Sequence, residues 1–305
     1  MKLPDRLRER LERVLELGER LLGDLVDENP DASLFETRRA FRWDPGRGRG
    51  LGQLVAIEKP ASFDLDDLYG VDRAIESFVR NIEQFLRGLP FNHVLLYGDR
   101  GTGKSSAVRG VLTRFGDWGL RLIEVEKDEL VHLPRVLDAI RSGGQDFRFL
   151  IFCDDLSFGG GEAGYREMKA VLDGSFAGPP ENVCLVVTSN RRQLVSQSMD
   201  DNRQAELDAD NELHLGEVLE EKLALADRFG LTLGFYCFDQ PTYLAIVEQY
   251  LKKEGCGPLS DEVQAEALRF ALRRGSRSGR TARQFVNQWA GERKLRELFL
   301  ADKNH

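Results

Sequence analysis

Residues 98 to 105 read Gly98-Asp99-Arg100-Gly101-Thr102-Gly103-Lys104-Ser105, which meets the spacing G-x-x-x-x-G-K-[ST] of a phosphate-binding loop. Glycines at those positions let successive backbone N–H groups turn toward a polyanion, and a helix opening at the end of the loop adds the positive end of its dipole. Lys104 is placed to reach β- and γ-phosphates, and the Ser105 hydroxyl to bind Mg²⁺. The phosphates also need a carboxylate shell to hold the metal, and Phe149-Leu150-Ile151-Phe152-Cys153-Asp154-Asp155 supplies one at the end of an apolar run. Asp154 is expected to hold Mg²⁺ through its water shell, and Asp155 to orient the attacking water. Asp155 has a shorter arm than the commoner Glu, and about 1 Å of misplacement can lower a rate about 10²-fold, so slow basal hydrolysis is expected.

Other polar residues stand at strand or helix ends. Val187-Thr188-Ser189-Asn190 closes an apolar run, with Asn190 a candidate to hold the nucleophilic water. The segment Glu221 to Leu231 carries Asp227-Arg228-Phe229-Gly230 just before the last apolar run, and Arg277-Ser278-Gly279-Arg280-Thr281-Ala282-Arg283 opens a late helix. Arg191 and Arg192 directly follow Asn190 and compete with Arg228 for any role at a subunit edge.

These residues need elements to position them. Five strand-like runs occur at 93–97, 120–125, 148–153, 182–188 and 231–236, with helical segments between the early ones, which implies a parallel sheet covered on both faces. The phosphate loop leaves the first run, and Ser106 onward continues at helical spacing. A helix is expected from about Val71 to Leu86. After Asp239 the pattern is wholly helical, near 241–253, 260–274 and 279–298. Residues 5 to 26 read as a charged amphipathic helix with an interrupted Leu/Val stripe, and Arg38 to Gly52 as a basic, Gly-rich mobile connector. The expected division is 1–58 for the N-terminal helix and connector, 59–238 for a nucleotide-binding domain, and 239–305 for a small helical domain.

Composition narrows the class. With 41% apolar and 31% charged residues, the 305-residue chain can bury a proper core, and no apolar stretch is long enough to span a bilayer. A soluble, cytoplasmic protein without membrane contact is expected. Cys153, Cys184, Cys237 and Cys256 are scattered without metal-ligand spacing, as are the four histidines, so reduced thiols are expected and Mg²⁺ is the only metal. A net charge of −8 argues against a surface that embraces nucleic acid throughout. The distribution is nevertheless uneven: residues 269–296 hold nine Arg/Lys against Glu292, whereas 199–212 hold six acids against Arg203.

The succession of phosphate loop, D-D strand end, T-S-N, R-F and G-R resembles the AAA+ ATPases. Closer still, the segments 98–106, 152–158, 188–192, 227–231 and 274–280 resemble the bacterial ATPase family catalogued as domain of unknown function 815, over roughly residues 35 to 290. The resemblance implies an αβα sandwich of strand order 5-1-4-3-2 with a C-terminal helical lid. It implies sensor 1 at Asn190, an arginine finger acting on a neighbour's ATP at Arg228, and a sensor 2 arginine at Arg280 reaching from the lid. Ser62 to Gly70, including Tyr69, is similar to the tract that lines the adenine pocket. ATP and Mg²⁺ are the implied ligands, and self-association into a ring or open oligomer is the implied assembly.

The segment after the second strand, Val125 to Pro134, lacks the aromatic-apolar-Gly loop of threading unfoldases, so protein threading is disfavoured. Neither basic patch has interleaved aromatics for base stacking, which leaves nucleic acid the less supported partner class beside an unidentified protein. The expected activity is slow ATP hydrolysis at subunit interfaces, coupled to remodelling or assembly of that partner. The alternative is a nucleotide-gated recruitment module, like a replication initiator or helicase loader, with negligible turnover; a small-molecule kinase would need neither the R-F element nor the lid.

Overall fold

The computed structural model describes residues 13, 32–46, 52–156, 163–173, 180–190 and 225–302. One seven-stranded mixed sheet organises them, in the order β2-β1-β4-β5-β6-β3-β7. Its strands are β1 (Ala40–Asp44), β2 (Gln53–Ala56), β3 (Val94–Gly98), β4 (Leu120–Glu124), β5 (Arg148–Cys153), β6 (Val183–Ser189) and β7 (Leu231–Phe235). From β7 to β4 the five strands anticipated from sequence are all parallel and lie in the order 5-1-4-3-2.

The sheet differs from expectation at its other edge. β1 adds in parallel to β4, and β2 pairs antiparallel with β1. Residues 40–44 and 53–56 are thus part of the sheet, not of a connector. The physical reason lies in Phe41 and Trp43, which alternate with exposed Arg42 and Asp44 and are buried on one face. Phe41 and Phe149 both pack edge-on against Phe35, which belongs to the short helix α1 (Ala32–Thr37). Buried Arg121 donates to the Phe35 carbonyl and lies over the Phe147 ring, tying α1 to this edge. Composition hid this strand because its basic and glycine neighbours outnumber its two aromatics. Apart from Arg13, the amphipathic stretch 5–26 lies outside the described residues, as do Gly159 to Gly161, Arg191, Arg192 and the acidic segment 199–212.

Strand alternation sends side chains to two cores. Leu96, Leu122, Leu150, Phe152, Val186 and Phe235 pack on α2 (Asp72–Leu86), on α3 (Lys104–Phe115) and on the C-terminal helices. Leu95, Ile123, Phe149, Ile151 and Leu185 face α1, α4 (Leu133–Gly143) and α5 (Ala163–Asp173). The chain leaves the sheet after β7 for three helices, α6 (Gln240–Lys253), α7 (Asp261–Arg274) and α8 (Gly279–Asp302). Asp239 caps α6 through the Thr242 amide, Ser260 caps α7, and Gly275 ends α7 in the left-handed conformation. Tyr243, Ile246, Phe270 and Phe285 join the same core as α2 and α3, so the helical part rests on the sheet domain through continuous apolar packing. Among the described residues no helix is long and apolar enough to cross a membrane.

His93, just before β3, is a half-buried acceptor: its Nδ1 accepts the Leu185 amide at 3.0 Å. Burial lowers its pKa from 6.5 to about 4. Between those values the unfolded chain takes up a proton that the folded chain refuses, so stability is full above pH 6.5 and falls as pH drops toward 4. At about 1.4 kcal/mol per pKa unit the loss approaches about 3 kcal/mol. Thermal melts across this range should show the decline, and His93→Asn, which keeps an acceptor but cannot take the proton, should flatten that part of it.

Candidate active site

The phosphate loop turns at the C-terminal end of β3, where backbone geometry depends on glycine. Gly98 has φ +127°, and a Cβ there would lie 1.9 Å from the Phe235 carbonyl oxygen of β7. Gly101 is approached by the lid: a Cβ would meet that of Arg280 at 2.8 Å, and the Arg280 amide donates to the Gly101 carbonyl at 3.2 Å. Thr102 Oγ1 donates to the Asp99 carbonyl at 2.8 Å, and the Asp99 carboxylate accepts the Cys237 amide at 2.8 Å, fixing the loop to the strand–lid crossing. α3 starts on Gly103 with no side-chain cap, which leaves the helix N-terminus to an outside acceptor.

Lys104 is buried, and its ammonium donates to the Gly98 and Asp99 carbonyls at 2.9 and 2.7 Å. Burial lowers its pKa, Asp154, Asp99 and Asp155 oppose that, and Arg280 adds to it. Ser105 Oγ donates to both oxygens of Asp154, at 2.8 and 3.0 Å. Thr188 Oγ1, from β6, donates to Asp154 Oδ1 at 2.5 Å and accepts the Asp155 amide at 2.8 Å. A single buried hydroxyl therefore holds both the Asp154 carboxylate and the Asp155 backbone, a role the sequence reading did not give Thr188.

Asp155 is the one non-glycine with positive φ (53°) among the described residues. Asn190 Nδ2 donates to its Oδ1, and Arg100 stands 3.9 Å from its Oδ2. Non-glycine residues seldom hold this backbone region, and such departures cluster at functional sites. The end of β5 thus brings Asp154 and Asp155 together with Asn190, Ser105 and Lys104. Cys153 beside them is buried, and burial followed by the Asp154 charge pushes its pKa up to about 12, so it is no nucleophile. No disulfide links the four cysteines; Cys237 alone of them is exposed.

These groups line a cavity of about 840 Å³ running from Asp154, Asp155 and Asn190 to the lid. Six cations line it (Arg100, Lys104, Arg109, Lys253, Arg280, Arg283) against the carboxylates of Asp67, Asp154 and Asp155, a balance suited to a polyanion. Phe63, Leu68, Tyr69, Phe238, Ile246 and Tyr250 also line it, an apolar and aromatic surface on which a heterocycle can stack. The tract 62–70 is tied to its neighbours. Asp64 caps the turn at Leu65–Asp67, Leu65 packs over Gly110, and Asp67 accepts from Gln249 and Lys253 of α6.

Tyr250, Lys253 and Arg283 were not anticipated. Their signal was helical spacing: Tyr250 and Lys253 are three apart on α6, and Arg283 is three after Arg280 on α8. Arg283 stacks on Tyr250 at 5.2 Å.

Arg228 is not in this cavity. It stands before β7, whereas the phosphate loop follows β3, and the two strands are parallel with Val94 opposite Leu231 and Gly98 opposite Phe235. A strand of this length separates the two ends by roughly 15 Å, beyond the reach of an arginine in the same subunit. Its guanidinium pairs instead with Asp173 at the end of α5.

The family described as "Protein of unknown function (DUF815)" matches residues 36–293. The chain belongs to that family. No curated protein matches the DUF815 chain. Among solved structures, the Aeropyrum pernix ORC1 protein in complex with DNA is similar at a TM-score of 0.50 and 18% identity, over 74% of this chain and 61% of that one. The Thermotoga maritima RuvB Holliday junction branch migration motor is similar at 0.49 and 16%, over 73% of this chain and 63% of that one. The chain thus spans less than two thirds of the length of either structure. The likeness to the ORC1 protein is one of fold: an α/β architecture with a mostly parallel sheet, here with two strands added to the five-stranded order.

Proposed function

We propose that this DUF815 protein is a cytoplasmic ATPase that binds ATP with Mg²⁺ between the phosphate loop and the lid, hydrolyses it slowly, and completes its site with a neighbouring copy. The observation that carries the reading is the joint placement of Lys104, Ser105, Asp154, Asp155 and Asn190 in a cavity that aromatic side chains also line. In this reading residues 59–238 form the nucleotide-binding domain and 239–305 the lid.

Ser105 and Asp154 offer adjacent oxygen donors, the set a hard dication takes, and they are already in contact. Mg²⁺ held there would neutralise charge developing on the phosphates. Lys104 leaves the Gly98 and Asp99 carbonyls for the phosphates, and Gly98 to Ser106 surround them with backbone N–H groups. Asp155 orients the attacking water and Asn190 positions it, as hydrolysis breaks the bond between the γ-phosphorus and its bridging oxygen. Arg280 closes the lid over the phosphates, Tyr69 lines the base end, and Arg228 serves the neighbour's site.

One observation favours the alternative of a nucleotide-gated recruitment module: both carboxylate oxygens of Asp155 are engaged by side chains, so the water-orienting group is tied. An unidentified protein is the proposed partner, and nucleic acid the less supported one. Purified protein should bind a fluorescent ATP analogue, release phosphate in Mg²⁺, and scatter more light with ATP than with ADP. ATP-dependent assembly without phosphate release would favour the recruitment module. A monomer in every nucleotide state would remove the shared-site reading.

A further inference from the structure

Arg100 has a fixed base and a loosely held tip. On one side Asp99 is bound through its carboxylate to the Cys237 amide and through its carbonyl to Thr102; on the other, the Gly101 carbonyl accepts the Arg280 amide. The backbone of the loop is therefore pinned on both flanks, while the Arg100 side chain is 73% exposed. Its guanidinium rests 3.9 Å from Asp155, itself 57% exposed, and an ion pair so exposed contributes little. Such a cation exchanges readily for a stronger anion within reach.

The charge around it indicates which anion. Arg100, Asp154, Asp155 and Asn190 line both the nucleotide cavity and an adjoining cleft of about 440 Å³. Glu124, Glu126 and Asp128 also line that cleft, against Lys127. A terminal phosphate drawn toward Asp155 and Asn190 enters a field of carboxylates. Arg100 is the cation of the same loop that fronts both cavities, whereas Lys104 fronts the nucleotide cavity only.

We propose that Arg100 reads the γ-phosphate from within its own subunit, and that Asp155 is the anion that holds it while the site is empty. This rests on the ATP-binding reading above and adds to it a discriminator between ATP and ADP. Binding of a γ-phosphate moves the guanidinium off Asp155, so one exchange both recognises the triphosphate and releases the water-orienting carboxylate. A guanidinium fork suits a phosphate better than an ammonium does.

The test is the ratio of the dissociation constant for ADP to that for ATPγS, measured in Mg²⁺ by displacement of a fluorescent ADP analogue from the full-length protein. Arg100→Ala should lower the ratio about 10- to 100-fold by weakening ATPγS alone, the range for a charge-assisted contact. Arg100→Lys should fall between. Asp155→Asn should leave ADP unchanged and hold ATPγS as tightly or more so, because the competing anion is gone. Equal weakening of both nucleotides in Arg100→Ala, or no change in either, overturns the proposal while leaving the ATP site in place. Failure of the unaltered protein to bind either nucleotide overturns the ATP-binding reading itself, and this proposal with it.

Discussion

Lys104→Ala should abolish both tight ATP binding and hydrolysis, whereas Asp155→Asn should bind ATP at least as tightly as the unaltered protein and fail to turn it over. The two residues line one cavity, yet the proposed reading gives them different parts of the reaction. Lys104 is a buried ammonium parked on two backbone carbonyls, so its removal takes away the charge that any triphosphate in this cavity would meet. Loss of one preorganised donor at such a site typically lowers the rate about 10²- to 10³-fold, beyond the loss of affinity. In the proposed reading Asp155 carries the water-orienting carboxylate, and the substitution to Asn preserves its size while removing the charge that general-base assistance needs, about 10²- to 10⁴-fold. Titration with a fluorescent ATP analogue, paired with single-turnover phosphate release, separates the two. Equal loss of affinity in both variants would contradict these roles.

Arg228 and Arg280 should fail in different ways. Arg280 belongs to the first turn of α8 and touches the phosphate loop of its own chain through the Gly101 carbonyl, so Arg280→Ala should alter nucleotide affinity as well as rate. Arg228 lies at the opposite end of the strands from the phosphate loop, tied to Asp173, so Arg228→Ala should bind ATP normally. Its hydrolysis should nonetheless fall by about 10³- to 10⁵-fold if it neutralises transition-state charge on a neighbour. Mixing decides the point. Arg228→Ala combined with Lys104→Ala pairs an intact phosphate loop with an intact arginine at some interfaces, and activity should partly return. A mixture that exchanges subunits yet stays inactive would show that Arg228 does not act in trans, and Arg191 or Arg192 would become the next residues to substitute.

Asp154 and Asp155 were visible as a pair after a run of apolar residues, but their settings were not. That both depend on the Thr188 hydroxyl, and that Asp155 takes a positive φ, follows from β6 lying between β5 and β3 in the sheet. The same holds for the cavity's lid-side lining. Tyr69 could be placed by resemblance, whereas Tyr250, Lys253 and Arg283 reach the cavity only because α6 and α8 fold back over it, between 140 and 180 residues later in the chain than the phosphate loop. The edge strand β1 is a third case: two aromatics in a basic, glycine-rich stretch become a strand because β4 offers an unpaired edge and Phe35 and Phe149 offer a face.

Local signals sufficed for the phosphate loop, the five parallel strands, the helices α2, α3, α6, α7 and α8, and the strand-end polar residues, because each is set by spacing within a few residues: glycines at a turn, apolar period along a strand or helix, a cap at a terminus. The tertiary structure alone decided which of those residues share a cavity, that Arg100 rests on Asp155 while Arg228 stands a strand's length away, and that the sheet has seven strands. Those outcomes depend on which strand lies beside which and on where the lid packs, and both are settled by burial of side chains far apart in the chain rather than by any local pattern.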